Sequence, residues 1–182
     1  MPKQEFPFPM PNGWFCVTRV GDLKNEESKS FIFCEKEVVA FRTKSGKVSV
    51  LDAFCGYCGI NLAISGKVDG ETINCPKHGI KWNIDGTCAE IDKDGMVPQK
   101  AMEVETFSYP CQELNGFIWA WHHLLKEEPY FDIPAIDGFN DNDSKWGKEH
   151  HYEYHINTVL QEIAENDVDQ AHFPKVHGSP SL

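Results

Sequence analysis

The sequence predicts a mainly β protein, a small antiparallel sandwich or barrel, followed after a linker by one amphipathic helix. Three observations carry that expectation. Short runs of β-branched and aromatic residues recur at close spacing between residues 14 and 122. Glycine, asparagine and aspartate separate them, as tight connections between antiparallel strands require. Beyond Thr158 the period changes, and Leu160, Ile163, Ala164, Val168 and Ala171 recur at helical spacing.

In chain order, the alternating prolines of Phe6-Pro7-Phe8-Pro9-Met10-Pro11 force an extended arm. Strands are expected at 14–20, 31–34, 37–42 and 47–51, broken at Gly21-Asp22 and by a hairpin turn at Lys44-Ser45-Gly46. Alternation is rough over Val48 to Asp52. Gly66 and Asp69-Gly70 mark further turns. Strands follow at 71–74, 82–84, 87–91, 103–109 and 117–122, with a tight turn at Asp85-Gly86. From Leu124 to Gly147, Pro129, Pro134, Gly138 and the polar run 140–144 mark a linker or surface loop. A last strand is expected at 150–156, with Tyr152, Tyr154 and Ile156 on one face. The helix should run from Thr158 to Ala171 and end before Pro174.

Composition narrows the functional classes. The 182 residues are 41% hydrophobic and 25% charged, which describes a globular protein with one good core. Seventeen basic against 28 acidic residues leave a net charge of -11, so nucleic acid and anionic membranes are poor partners. A basic electron-transfer partner is compatible with that charge. No apolar run approaches the roughly 18 residues of a transmembrane helix. Seven cysteines, an odd number, and the lack of a signal peptide suggest a reducing compartment, so a soluble cytoplasmic protein is expected.

Two constellations carry chemistry. Cys55-Gly56-Tyr57-Cys58-Gly59 and Cys75-Pro76-Lys77-His78-Gly79 each bring two donors together at x2 spacing. Thiolates and imidazoles so placed suit zinc or an iron–sulfur centre, since a turn can aim two side chains at one point. Structural thiols or a disulfide are the alternatives. Cys16, Cys34, Cys88 and Cys111 have no partner at ligand spacing and are read as core. The second constellation is Asp169, His172 and His177, a D-x-x-H-x4-H pattern. Two imidazoles and a carboxylate form the donor set of a mononuclear ferrous site, while two histidines near a helix end also serve as plain caps. Trp119 and Trp121 are read as core or sheet face, His122-His123 and His150-His151 as solvated, and 126–128 as an exposed turn.

The chain resembles the N-terminal part of a Rieske-type non-haem iron oxygenase, in the branch of 3-ketosteroid 9α-hydroxylase oxygenase components and cholesterol 7-desaturases. Residues 6–15, both donor loops, Asp85-Gly86-Thr87-Cys88-Ala89-Glu90-Ile91, Glu165 to Phe173 and Val176-His177-Gly178 carry the resemblance. It implies an N-terminal arm over 1–13, a Rieske-type antiparallel β-sandwich domain over 14–125, a linker over 126–147, and over 148–182 the helical start of a truncated α+β catalytic domain. It implies that Cys55, Cys75 and His78 hold a [2Fe–2S] cluster and that His172 and His177 bind a mononuclear Fe(II). Asp169 would hydrogen-bond a ligand histidine and couple the two centres between subunits of a homotrimer, with Asn166 near the same site. A ferredoxin or flavin reductase would supply electrons for hydroxylation or desaturation of a steroid or sterol by dioxygen.

Two departures qualify the resemblance. Where the family has its first histidine ligand this chain has Tyr57, and a phenol is a poor replacement for a neutral imidazole. Cys58 offers a thiolate beside it, which would make a Cys3His cluster of lower potential. The same donors also describe a closed zinc site on a Rieske-like fold, in a non-catalytic metal-binding or electron-carrier protein. The chain also stops at Leu182, before the family's downstream aspartate ligand and substrate-pocket sheet, so a fragment without turnover of its own is expected.

Overall fold

The computed structural model describes residues 10–91, 99–137, 139, 147 and 150–178. Most of the expected N-terminal arm, residues 1–9, lies outside them. The chain divides into one compact unit over 10–146 and another that holds the described residues from 147 onward.

The first unit is mainly β, as the sequence predicts. Its strands are β1 (Gly13–Arg19), β2 (Ser28–Phe33), β3 (Lys36–Arg42) and β4 (Val48–Asp52). After a one-turn helix α1 (Leu62–Ser65) come β5 (Lys67–Asp69), β6 (Thr72–Cys75), β7 (Ile80–Trp82) and β8 (Cys88–Ile91). The set closes with β9 (Ser108–Tyr109), β10 (Cys111–Leu114) and β11 (Phe117–His122). Every pairing among them is antiparallel, in sheets ordered β1-β11-β10, β2-β3-β4-β9 and β5-β6-β7-β8.

The sheet containing β3 and β4 buries both faces. Val39, Phe41 and Leu51 enter one core with Ile73, Ile80 and Trp82 of β6 and β7. Val38, Ala40 and Val50 enter a second with Tyr109, Ile118 and Ala120 of β9 and β11. A strand covered on both sides has no polar face, which is why Val48 to Asp52 alternates only roughly. Arg42 stays buried because Leu23, Gly46 and Val20 carbonyls and the Glu113 carboxylate accept its guanidinium, tying β3 to β10.

Several expectations are corrected. The strand read over 103–109 is cut to β9, and 99–103 turns as a short 3-10 helix. Cys16 is exposed on β1, not core. The His123 side chain is only 7% exposed, because its ring stacks on Trp121 and its Nδ1 accepts the Leu125 and Glu127 N–H groups. The segment after residue 125 lies against this unit. Trp14 donates to the Phe131 carbonyl, and Asn115 bonds both Pro134 and Ile136.

In the second unit, 150–156 is irregular and exposed instead of a strand. No strand pairs with it among the described residues, and an unpaired strand leaves its backbone groups without partners. The helix α2 spans Leu160–Val168, three residues shorter at its end than Thr158–Ala171 implies. The Asp169 carboxylate accepts the Ala171 N–H and so diverts the backbone from the helical path. Pro174 lies in the first turn of the next element, 173–177, where its missing N–H costs nothing.

Gly86 gives a test of this packing. Its φ is +81°, and a Cβ there would stand 1.8 Å from the Thr106 carbonyl oxygen. Gly86→Ala should destabilise the first unit by about 1–3 kcal/mol, measured by urea unfolding; an unchanged midpoint would contradict the packing described.

Candidate metal centre

The two donor loops hang from the core. Cys55 follows β4, and Cys75 ends β6; their side chains are 2% and 0% exposed among the aliphatic and aromatic residues of the first core. The first loop is closed by the Gly59 N–H on the Cys55 carbonyl at 2.8 Å and by the Cys55 N–H on Ile60 at 2.9 Å. The second caps the β6–β7 hairpin, with the Gly79 N–H on the Cys75 carbonyl at 3.0 Å. Both glycines have positive φ, +67° at Gly59 and +64° at Gly79, a conformation that glycine adopts without strain.

These turns gather three sulfurs. The Sγ atoms of Cys55, Cys58 and Cys75 all lie within 4.8 Å of one another, and Cys58 stands 3.6 Å from Cys75. Among the described residues this is the set of three or more His, Cys, Asp or Glu donors gathered so closely. His78 stands outside it, yet its Nδ1 is buried without a hydrogen-bond partner. Buried imidazole nitrogens are normally satisfied, so this one lacks the partner a metal would be. Tyr57 packs beside His78. It is 36% exposed, and its ring meets the His78 ring edge-on at 5.2 Å.

The site's electrostatics differ from thiol to thiol. Burial pushes Cys75 up to about 12 and also raises Cys88. Burial raises Cys58 too, but the Ile60 N–H, the Cys55 and Cys75 thiols and the Lys77 charge outweigh it and leave Cys58 below the ordinary value. Two residues without motif status position the first loop. The Gly56 N–H donates to Thr106 Oγ1 at 3.0 Å, and a Cβ on Gly56 would lie 2.2 Å from the Glu105 carbonyl oxygen. A partner 50 residues away leaves no local signal.

In the second unit, Asp169 and His172 meet through a turn, not along a helix face. His172 Nδ1 lies 2.6 Å from the Asp169 carbonyl oxygen and 3.8 Å from its carboxylate. Residues 173–177 form a wide turn closed by the Gly178 N–H on the Phe173 carbonyl. An i→i+5 turn brings residues five apart towards one side. The His172 and His177 rings accordingly stand 5.1 Å apart. Asn166 is exposed on α2.

Comparison with known proteins decides the family. The Rieske [2Fe-2S] domain matches residues 13–107, and the 3-ketosteroid 9alpha-hydroxylase C-terminal domain matches residues 120–182. The chain belongs to the Rieske family. The cholesterol 7-desaturase nvd of Drosophila melanogaster is 36% identical over 174 residues, covering 95% of this chain and 39% of that protein. The 3-ketosteroid-9-alpha-monooxygenase oxygenase component of Rhodococcus rhodochrous is 34% identical over 170 residues, covering 91% of this chain and 43% of that protein. The chain thus spans about two fifths of the length of these relatives. Among solved structures, dicamba monooxygenase bound to dicamba superposes with a TM-score of 0.58 at 21% identity, over 69% of this chain and 36% of that one. The oxygenase–ferredoxin complex of carbazole 1,9a-dioxygenase gives 0.55 at 21% identity, over 62% of this chain and 29% of that one. Both are likenesses of fold. Among the described residues no helix is long and apolar enough to cross a membrane.

The Rieske domain is one that holds a [2Fe–2S] cluster, and three positions of this chain suit it: two buried thiols and the unpartnered His78 nitrogen. A single tetrahedral zinc suits them less well. Its ligands, about 2.3 Å from the metal, must all lie about 4 Å apart, and His78 is not in the 4.8 Å set. A two-iron cluster spreads its ligands over two metals and has no such requirement.

The thiol environments predict a pH dependence. Cys75 keeps its proton to about 12 in the folded chain against 9.0 ordinarily, so above pH 9 the unfolded state releases protons first. Stability of the metal-free protein should hold below pH 9 and fall as pH rises towards 12, with a shallower fall in Cys75→Ala. At neutral pH iodoacetamide should label Cys58 ahead of Cys75, read by peptide mass spectrometry; the reverse order would contradict these environments.

Proposed function

We propose that this chain carries the electron-relay centre and the start of the oxygen-activating centre of a Rieske oxygenase acting on a steroid or sterol. One observation carries the reading: a buried thiol–imidazole site and a separate D-x-x-H-x4-H turn occur in one chain whose relatives are named for cholesterol and 3-ketosteroid oxidation. Cys55, Cys75 and His78 would hold the cluster, and His172 and His177 the ferrous ion. When bound, the cluster supplies one-electron transfer and the ferrous ion supplies dioxygen chemistry, for hydroxylation or desaturation.

The chain's own groups have separable tasks. The core fixes Cys55 and Cys75 and keeps water from their sulfurs. Asp169 constrains the His172 ring through the contact at Nδ1 and lies close enough for its carboxylate to orient that imidazole. Asn166 lies one turn of chain before Asp169 and is the further polar candidate at that centre. Electrons would come from a ferredoxin or flavin reductase, as the oxygenase–ferredoxin complex of carbazole 1,9a-dioxygenase illustrates for a protein of the same fold. A homotrimer in the cytoplasm is the assembly and location proposed.

Metal analysis tests the reading. Anaerobic loading with ferrous iron and sulfide should give about three iron and two sulfide per chain, against about two and two in His172→Ala. His78→Ala should lose the sulfide. One zinc per chain with no sulfide uptake would overturn the proposal.

A further inference from the structure

The two donor loops are one turn built twice. Each runs from a buried cysteine to a glycine four residues on, whose N–H returns to that cysteine's carbonyl, at 2.8 Å from Gly59 and 3.0 Å from Gly79. Both glycines lie in the left-handed region. The residue just before the glycine is Cys58 in the first loop and His78 in the second. Cys58 therefore holds in its turn the place that His78 holds in its own, and Tyr57 corresponds to Lys77.

The side chains follow that equivalence. Cys58 is half-buried with its sulfur 3.6 Å from that of Cys75, and it belongs with Cys55 and Cys75 to the gathered thiols. Tyr57 is exposed and packs its ring edge-on against His78. The geometry points to Cys58, and not Tyr57, as the fourth ligand of the centre, a set of three thiolates and one imidazole. This rests on the Rieske reading above and narrows it to a ligand set. A thiolate in place of a neutral imidazole adds one negative charge, which favours the oxidised cluster and lowers its reduction potential.

The test loads the purified chain and its variants with ferrous iron and sulfide, then counts both and resolves the nitrogen couplings of the reduced centre by pulsed EPR. The wild type should load and show one coupled imidazole, and Tyr57→Phe should match it. Cys58→Ala should lose at least about ten-fold in sulfide retained. The double variant Tyr57→His/Cys58→Ala should regain the centre with two coupled imidazoles and a higher potential, which also shows that removing the Cys58 sulfur leaves a folded chain. Two coupled imidazoles in the wild type, full loading of Cys58→Ala, or loss of the centre in Tyr57→Phe would overturn the ligand set. Loading by the double variant alone would overturn the role of Cys58 and leave the Rieske reading standing. No loading by either would overturn both.

Discussion

Cys55 and Cys75 belong to two structures at once, the hydrophobic core and the donor site. Their side chains pack with Val39, Phe41, Leu51, Leu62, Ile73, Ile80 and Trp82, so the site grows out of the core. Burial that favours packing also opposes ionisation, as the raised Cys75 thiol shows. A metal resolves the conflict, because it supplies the positive charge that water no longer supplies. The donors at the other end of each turn, Cys58 and His78, are only half-buried. Each loop thus has an anchored end and an end towards solvent, from which a metal can enter.

Much of the β architecture was legible because turn chemistry is local. Lys44-Ser45-Gly46 and Asp85-Gly86 announce their turns, and β11 is found at its expected bounds. The strands with the least regular pattern are informative. β4 alternates only roughly because neighbouring residues enter different cores, Val50 one and Leu51 the other, as do Val38 and Ala40 against Val39 and Phe41 in β3. β5 and β10 have three and four residues, too few for a period to show, and exist through their pairing with β6 and β11. His123 looked solvated because polarity is a property of the residue, whereas its burial depends on Trp121 two positions earlier.

The candidate site was legible in its donor types and spacing but not in their direction. C-x-x-C and C-x-x-H name four donors, and a chain written as letters does not say whether Tyr57 or Cys58 faces inward. The folded loops add what the letters lack: the Cys58 sulfur lies 3.6 Å from that of Cys75, while Tyr57 is exposed. The same limit applies to His172 and His177. Five residues apart, they fall on different faces of an α-helix, and only the wider 173–177 turn brings their rings together.

The two donor sets also differ in what holds them in place. At the thiol site the first residue of each loop is locked by the core, and Thr106 fixes Gly56 from a distant segment. Little further ordering is required when metal binds, so most of the ligand-bond energy remains as affinity. At the imidazole pair the described constraints are local: the Gly178 closure, the Asp169 contacts and the edge-on packing of the two rings. His177 is exposed, and no core residue is described behind it. If this pair holds the ferrous ion as proposed, part of the energy of metal binding goes into ordering the turn itself, which would couple that centre to folding more tightly than the thiol site. On the proposed function, one chain would join a centre built before its metal arrives to one that its metal helps to build.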